Sequence, residues 1–171
     1  NCYATGSIDA YVTTGDTFSR VGLLAGQILG QTKNCFSFGT VKVNGNQTET
    51  YIGGFVGFIN SGSVYNSYTF AEINASGNRV YVGGFAGSNG HDNYSTGTIS
   101  KSFSVALIES GFQYGNFVGI SKGSESGCYY YTESATGTQN NTRGVAQTFD
   151  AFLSQDWIIS TLGWDFETVW T

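Results

Sequence analysis

Charged residues are scarce in this chain, at 11% of its 171 residues, against about 25% in an ordinary globular domain. The net charge is −5, and the seven lysines and arginines are scattered singly along the chain. A nucleic-acid-binding surface needs clustered basic residues, and a basic helix that lies on a membrane surface needs them too. We therefore expect neither nucleic acid nor a membrane surface as a partner.

Long apolar runs, proline and methionine are missing as well. A membrane-spanning helix needs a run of roughly 18 or more apolar residues, so we expect no membrane insertion of this segment. In their place the chain has 25 glycines, and aromatic residues make up 16% of it. Together with abundant Thr, Ser and Asn, this composition favours strands and tight turns over helices.

A glycine-rich hexapeptide occurs four times, at residues 21–26, 52–57, 82–87 and 114–119. The first glycines of the four copies are 31, 30 and 32 residues apart. A fixed period of 20–50 residues is typical of stacked repeat architectures. The glycines permit the close backbone approach that a corner between stacked coils requires. A phosphate-binding loop is a poor alternative, because no helix pattern follows any copy.

An aromatic strand element accompanies the hexapeptides, at residues 1–8, 34–41, 66–73 and 101–108, with a degenerate copy at 127–131. Its apolar residues lie near period two, with a change of parity at Gly39 or Ala71 that is typical of a bend or bulge. The sequence therefore predicts an all-β fold. We expect a β-solenoid, or β-helix-like stack, of about four units of ~32 residues over residues 1–143.

The tail, residues 144–171, holds all three tryptophans: Trp157, Trp164 and Trp170. Terminal units of solenoids are atypical because they cover an open end. We predict a Trp-rich C-terminal cap in the same domain, with one short helix at residues 148–154 that packs over the last coil. An alternative is that the exposed tryptophans form a sugar-binding platform.

The three cysteines, Cys2, Cys35 and Cys128, occupy one place in successive repeats, where two other repeats have Ser67 and Ser102. A place that takes either Cys or Ser suits a small, weakly polar side chain, so we interpret the cysteines as a column of free thiols. Neighbouring parallel strands, ~4.8 Å apart, are within reach of a disulfide, but both side chains would point the same way. A zinc site would need a fourth ligand.

Catalytic patterns are weak. A Ser-His-Asp triad would have to use His91, the single histidine, and no nucleophile elbow surrounds it. A glycosidase needs carboxylates ~5–9 Å apart, yet Glu72 has Thr40 and Leu107 at the matching places of the adjacent units. No calcium-loop spacing occurs either. We therefore predict no catalytic residue, no cofactor-binding residue and no metal site.

The third unit carries an insertion at residues 89–96, which includes His91 and Asp92. Insertions in repeats map to loops on one face, often the binding face, so this loop is a candidate for a specific contact; a tolerated surface loop is the alternative. Glycosylation sequons occur at Asn46, Asn74, Asn93 and Asn140, which we place in loops.

The hexapeptides resemble the GLUG motif (Gly-Leu-apolar-Gly) of bacterial surface proteins, and residues 1–6, Asn-Cys-Tyr-Ala-Thr-Gly, resemble the element beside it. The tail is similar to the ends of such arrays at residues 127–130, 149–153 and 164–170. The copies at residues 22–24 and 115–117 depart from the pattern. The resemblance implies a spacer or binding module of secreted or surface-anchored adhesin-like proteins, a type also found beside immunoglobulin A proteases, with no catalytic residues to carry over.

Two functions follow as hypotheses. The first is a stalk or adhesive module excised from a larger secreted or cell-surface bacterial protein, with a protein or glycan ligand on a host or environmental surface. The second is a subunit of an extracellular filament that self-associates head to tail through open solenoid ends. Ice binding by a flat threonine face ranks last, because Thr13, Thr14, Thr40 and Thr69 do not fall in one column.

Overall fold

The computed structural model describes residues 1–12, 18–45, 49–90 and 96–170. Several residues singled out above lie outside these described ranges: Thr13, Thr14, Asn46, His91, Asp92 and Asn93. Within the ranges the chain is built from short and long strands, with two helices near its end. Neither helix is long enough, or apolar enough, to cross a bilayer within the described residues.

Strands follow one another in a repeated order of one long strand and three short ones. The first coil contains β1 (Cys2–Val12), β2 (Phe18–Gly22), β3 (Ala25–Ile28) and β4 (Gln31–Lys33). The second contains β5 (Cys35–Gly45), β6 (Glu49–Gly53), β7 (Val56–Ile59) and β8 (Ser63–Tyr65). The third contains β9 (Tyr68–Gly77), β10 (Val80–Gly83), β11 (Ala86–Asn89) and β12 (Thr98–Ser100).

The fourth coil merges its first two strands into β13 (Phe103–Gly115), which β14 (Val118–Ser121) and β15 (Ser124–Ser126) follow. The chain then forms β16 (Tyr129–Asn141), β17 (Val145–Ala146), α1 (Phe149–Leu153) and α2 (Gln155–Leu162). Every strand pairs in parallel with its counterpart one coil away, which gives three sheets among the described residues. The structure is a β-solenoid, and the predicted all-β repeat architecture is confirmed.

Glycines at the corners let adjacent coils approach. A Cβ on Gly53 would lie 2.1 Å from the Val56 carbonyl oxygen and 2.6 Å from that of Phe85, one coil away. A Cβ on Gly83 would lie 1.9 Å from the Ala86 carbonyl oxygen. No side chain fits at such distances, so the repeated glycines of the hexapeptide are a steric requirement of the stack, as the sequence predicted.

Stacked side chains fill the interior of the coils. Phe55, Phe85 and Phe117 come from successive hexapeptides and lie fully buried, with ring centroids 4.6 and 5.0 Å apart. Each aromatic pair of this kind contributes roughly 0.5–1.5 kcal/mol beyond its buried area. The first hexapeptide has Leu24 at this place, and Leu24 packs against the end of the same cluster.

Cysteine and serine share a column, as the sequence indicated. Cys2 lies directly opposite Cys35 in the parallel register. All three cysteines are free, with Cys2 exposed and both Cys35 and Cys128 buried. The shared column is therefore confirmed, since the register of the long strands aligns Cys35, Ser67, Ser102 and Cys128 as well.

β5 and β9 alternate without interruption, so the predicted change of parity at Gly39 and Ala71 is wrong. Pairing between β5 and β9 runs in register from Phe36 and Tyr68 to the glycines at their ends. Phe38 points outward and Val41 inward along an unbroken alternation. The apolar pattern shifts because aromatic residues occupy the outer face in the first half of each long strand.

The tail packs against these outer aromatic residues. Trp164 stacks on Phe103 at 5.4 Å and on Trp170 at 4.7 Å, and Trp170 also contacts Tyr68 of the third coil. The predicted cap therefore exists. We had expected it to cover the last coil, but it packs against the outer face of the long-strand sheet. It contains two helices instead of one, since Ser154 caps α2 by accepting from the Trp157 N–H and Gly163 ends it at φ 68°.

Candidate functional site

A groove of about 670 Å³ crosses the outer face of the long-strand sheet beside the tail. We call it the outer groove. Two neighbouring rows of side chains and the first residue of α1 line it: Phe38, Phe70, Val105 and Tyr131 in the apolar row, Thr40, Glu72, Leu107 and Glu133 in the polar row, and Phe149.

The apolar row is a direct result of the parallel register. Phe38 lies opposite Phe70, Phe70 opposite Val105, and Val105 opposite Tyr131. Because each coil adds one strand, the row presents one apolar side chain per strand spacing of about 4.8 Å. The Phe38 and Phe70 rings are 6.5 Å apart, and Phe38 is 59% exposed. A ligand can therefore reach the row from solvent.

Strand backbone forms the floor of the groove between the two rows, because the residues there turn inward. Gly39, Ala71 and Ala106 occupy this central position on three successive strands. A Cβ on Gly39, where φ is +151°, would lie 1.8 Å from the Gly6 carbonyl oxygen. These small residues had suggested a bulge in the sequence. Ala71 and Ala106 instead pack into the interior, and only the backbone at these positions lines the groove.

Two carboxylates face the groove from strands that are not neighbours. Glu72 belongs to β9 and Glu133 to β16, so β13 separates them and their backbones lie about 9.6 Å apart, twice the strand spacing. Both are exposed. Within the described residues neither side chain has a hydrogen bond or an ion pair, so both can accept hydrogen bonds from a ligand.

Glu133 enters the groove through a register shift that spacing could not reveal. Ala106 pairs with Thr132 and Leu107 with Ser134, so Glu133 is the extra residue of a β-bulge. Bulges re-aim side chains in this way. Counting residues by the repeat period had left every carboxylate without a partner in its column. The irregular fifth copy of the aromatic element, at residues 127–131, indicated an irregular strand. It did not indicate which face of the sheet the Glu133 side chain would occupy.

The predicted contact loop at residues 89–96 is described only at its ends. Asn89 is fully buried, and its side-chain amide donates to Glu125 at 2.7 Å. The Glu125 carboxylate also accepts from the Ser121 hydroxyl at 2.6 Å and pairs with Arg143 at 3.3 Å. The buried Asn89 and Glu125 side chains therefore join the start of the insertion to the next coil, and Arg143 pairs with Glu125 from the surface.

The two sequons in the described part of the chain lie in strands, so their predicted placement in loops is wrong. The Asn74 side-chain amide donates to Glu109 at 2.7 Å from within β9. The Asn140 amide donates to the Gly119 carbonyl at 2.9 Å from within β16. Attachment of a glycan to either amide nitrogen would compete with these hydrogen bonds.

The tryptophans are arranged differently from an open sugar-binding platform. Trp164 is 4% exposed and stacks on both Phe103 and Trp170. Trp157 meets Tyr129 edge-on at 5.2 Å. The tail therefore uses Trp164 and Trp157 for packing, and the outer groove beside it contains the exposed ring of Phe38.

Metal-ligating side chains do not gather anywhere in the described ranges: no three His, Cys, Asp or Glu residues there lie close enough to hold an ion. Comparisons with models of known protein families, with curated proteins and with solved structures gave no match. The outer groove and the stack that carries it are therefore the basis for a functional interpretation.

Proposed function

We propose that this chain is a non-catalytic adhesive module of an extracellular or cell-surface bacterial protein, a GLUG-type solenoid segment that acts as a stalk and presents a ligand-binding groove. The observation that carries the proposal is the position of the outer groove on the side of a continuous parallel stack. A ligand can bind there while the backbone pairing between coils stays intact.

The construction of the stack suits a stalk. Each coil is bonded to the next along three sheets, and aromatic rings stack from coil to coil both inside and outside. On the outside, Tyr3, Phe36, Tyr68 and Phe103 form one row with ring centroids 5.1–5.2 Å apart. Such a quasi-one-dimensional array gains stability with each added unit.

A binding role suits the groove better than a hydrolytic one. Hydrolysis of a glycoside needs one carboxylic acid held in its protonated form, usually by an apolar pocket. Both Glu72 and Glu133 are instead exposed. Two solvated carboxylates beside an aromatic row are suited to accepting hydrogen bonds from a bound ligand.

An adhesion experiment tests this function. Beads coated with the purified chain are washed over surfaces of cellulose, chitin, mucin and fibronectin, with beads that carry serum albumin as the control. We expect retention on at least one surface and no release of soluble sugar or peptide from it. Retention equal to the albumin control on all four surfaces, or hydrolysis of any of them, would overturn the proposal.

A second candidate function, a self-assembling filament, is favoured by the first coil. The outer edge of β1 has no strand partner among the described residues. Four large apolar side chains of this coil are exposed: Tyr3, Tyr11, Phe18 and Leu29. An open strand edge with apolar side chains is a template for another chain, and a head-to-tail contact that does not close gives a fibre.

Light scattering over a range of protein concentrations, with negative-stain microscopy, separates the two functions. A monomer at every concentration supports the module and removes the filament. Fibres of uniform width support the filament, with the edge of β1 as one half of the contact.

A further inference from the structure

We infer that the outer groove binds a short neutral or amino oligosaccharide that lies across the strands, parallel to the stacking direction of the coils. This inference rests on the proposed adhesive function and names its ligand class. Three features of the groove support this ligand class: its two rows of side chains, the charge of its lining residues and its volume.

Stacking is the first reason. A pyranose ring has an apolar face of C–H groups, and burying that face against an aromatic ring removes apolar area from water. Phe38, Phe70 and Tyr131 offer such rings on β5, β9 and β16, with Val105 between them. The spacing of the row, about 4.8 Å per strand, is close to the length of one sugar unit. Successive units of an oligosaccharide can therefore follow successive coils.

Hydrogen bonding is the second reason. A sugar presents many hydroxyl donors, and a carboxylate accepts from two of them at once. Glu72 and Glu133 stand along the polar row with the Thr40 hydroxyl, on the opposite side of the groove floor from the aromatic row. A sugar that stacks on one row thus turns its hydroxyl edge toward the other.

The charge of the groove lining favours neutral and amino saccharides over acidic ones. Among the described residues that line the groove, two are carboxylates and none is a lysine or an arginine. An acidic saccharide would therefore be repelled, whereas a hydroxyl or ammonium group is attracted. The volume of about 670 Å³ falls within the range of roughly 300–1,000 Å³ that is usual for ligand sites, which suits a few sugar rings.

Calorimetry with defined tetrasaccharides tests the inference. The probes are cellotetraose, a glucosamine tetramer and tetragalacturonate, which are neutral, cationic and acidic. We expect at least one of the first two to bind and the acidic tetramer to bind at least tenfold more weakly. Phe38→Ala should weaken the binding by about tenfold or more, and Glu72→Gln by roughly tenfold. Phe38 is largely exposed, so its truncation should leave the melting temperature close to that of the parent chain.

Matched controls lie on β1, the edge strand of the same sheet, which contributes no residue to the groove. Tyr11→Ala removes an aromatic ring that is 67% exposed, and Asp9→Asn removes a carboxylate that pairs with Lys42 on the surface. Neither residue lines the outer groove, so both variants should bind the saccharide as the parent chain does.

Each of the following results would overturn the inference: no binding of any tetramer, equal binding by the parent chain and folded Phe38→Ala, or preference for tetragalacturonate. Binding of a tetralysine peptide in competition with the saccharide would show a general cation site and would also overturn it. If beads were retained on fibronectin and Phe38→Ala did not change this retention, the saccharide inference would be wrong. The proposed adhesive function would still be supported.

Discussion

The backbone N–H of Cys35 donates a hydrogen bond of 3.2 Å to the hydroxyl of Ser67, which lies one coil further along the stack. The N–H of Ser67 donates in the same way to the Ser102 hydroxyl, and that of Cys2 to the Cys35 thiol. The Ser67 hydroxyl in turn donates to the Tyr65 carbonyl, two residues before it. The Cys/Ser column is therefore a side-chain ladder that joins the coils, and this is why both residue types occupy it.

Replacing Ser67 with alanine should destabilise the chain. The variant leaves the buried N–H of Cys35 without its acceptor, a loss of about 1–3 kcal/mol. The Tyr65 carbonyl loses one of its two donors and keeps the N–H of Asn34. Urea unfolding followed by circular dichroism measures the change. Ser67→Cys is the matched control, because cysteine occupies this place in neighbouring coils, and it should cost less than Ser67→Ala. Equal losses for the two variants would show that the ladder does not need a hydrogen-bonding side chain.

A side chain at a corner glycine should be tolerated far less well than one at an open glycine. Gly83→Ala places a Cβ 1.9 Å from the Ala86 carbonyl oxygen and 2.6 Å from the Gly119 nitrogen, and backbone cannot yield as a flexible side chain can. We expect a loss of about 3 kcal/mol or more, at the upper end of overpacking costs. Gly30→Ala, where nothing lies within 4 Å of the added Cβ, should leave the free energy of unfolding within about 1 kcal/mol. The proposed role of the corner glycines fails if both variants melt alike.

Lys101 is an unusual residue for the position directly before the Cys/Ser column, where the backbone is left-handed in four coils. Asn34, Asn66 and Gly127 precede the Cys/Ser position in three coils with φ between 50° and 58°, and Lys101 does so in the fourth with φ 49°. Left-handed backbone costs an ordinary residue roughly 1–2 kcal/mol, whereas glycine adopts it freely.

Lys101→Gly should therefore stabilise the chain, by about 1 kcal/mol once the added freedom of the unfolded chain is set against the relief of strain. The control is Lys122→Gly, since Lys122 is not among the residues with positive φ, and this variant should be neutral or destabilising. Thermal unfolding of the two variants beside the parent chain decides the matter, and a fall in stability for Lys101→Gly would contradict the assignment.

The repeat made the architecture predictable. Four glycine hexapeptides at a regular spacing indicate four similar corners, and a stack of coils is the arrangement that needs them. Gly53 and Gly83 stand where the spacing placed them. The second helix was missed because Trp157, Ile158 and Ile159 resemble a strand, although Ser154 and Gly163 give the start and stop signals of a helix. The groove was missed for a different reason. Glu133 faces the groove only because of a bulge. The assumed change of parity at Gly39 and Ala71 had placed the two rows of the groove on opposite faces of the sheet.

Alkaline conditions should weaken the stack through its buried thiols. Burial raises the pKa of the Cys128 thiol from 9.0 to about 12, and the pKa of Cys35 is raised for the same first reason. Below pH 9 the Cys128 thiol is protonated in both the folded and the unfolded chain, so it does not affect stability there. Between pH 9 and 12 the unfolded chain loses this proton while the folded chain keeps it, so stability falls as the pH rises, by up to about 1.4 kcal/mol per pH unit.

Cys128→Ser isolates this contribution, because serine occupies the same buried place in two other coils and does not ionise in this range. We expect the parent chain and the variant to have similar pH dependence from pH 7 to 8.5. Above pH 9 the parent chain should lose stability more steeply, in urea unfolding with a reductant present. The ionisation of Cys35 and of the tyrosines is common to both proteins and cancels in the difference. Parallel curves up to pH 11 would mean that the Cys128 thiolate is accommodated in the folded coil, and that the ladder position is open to water.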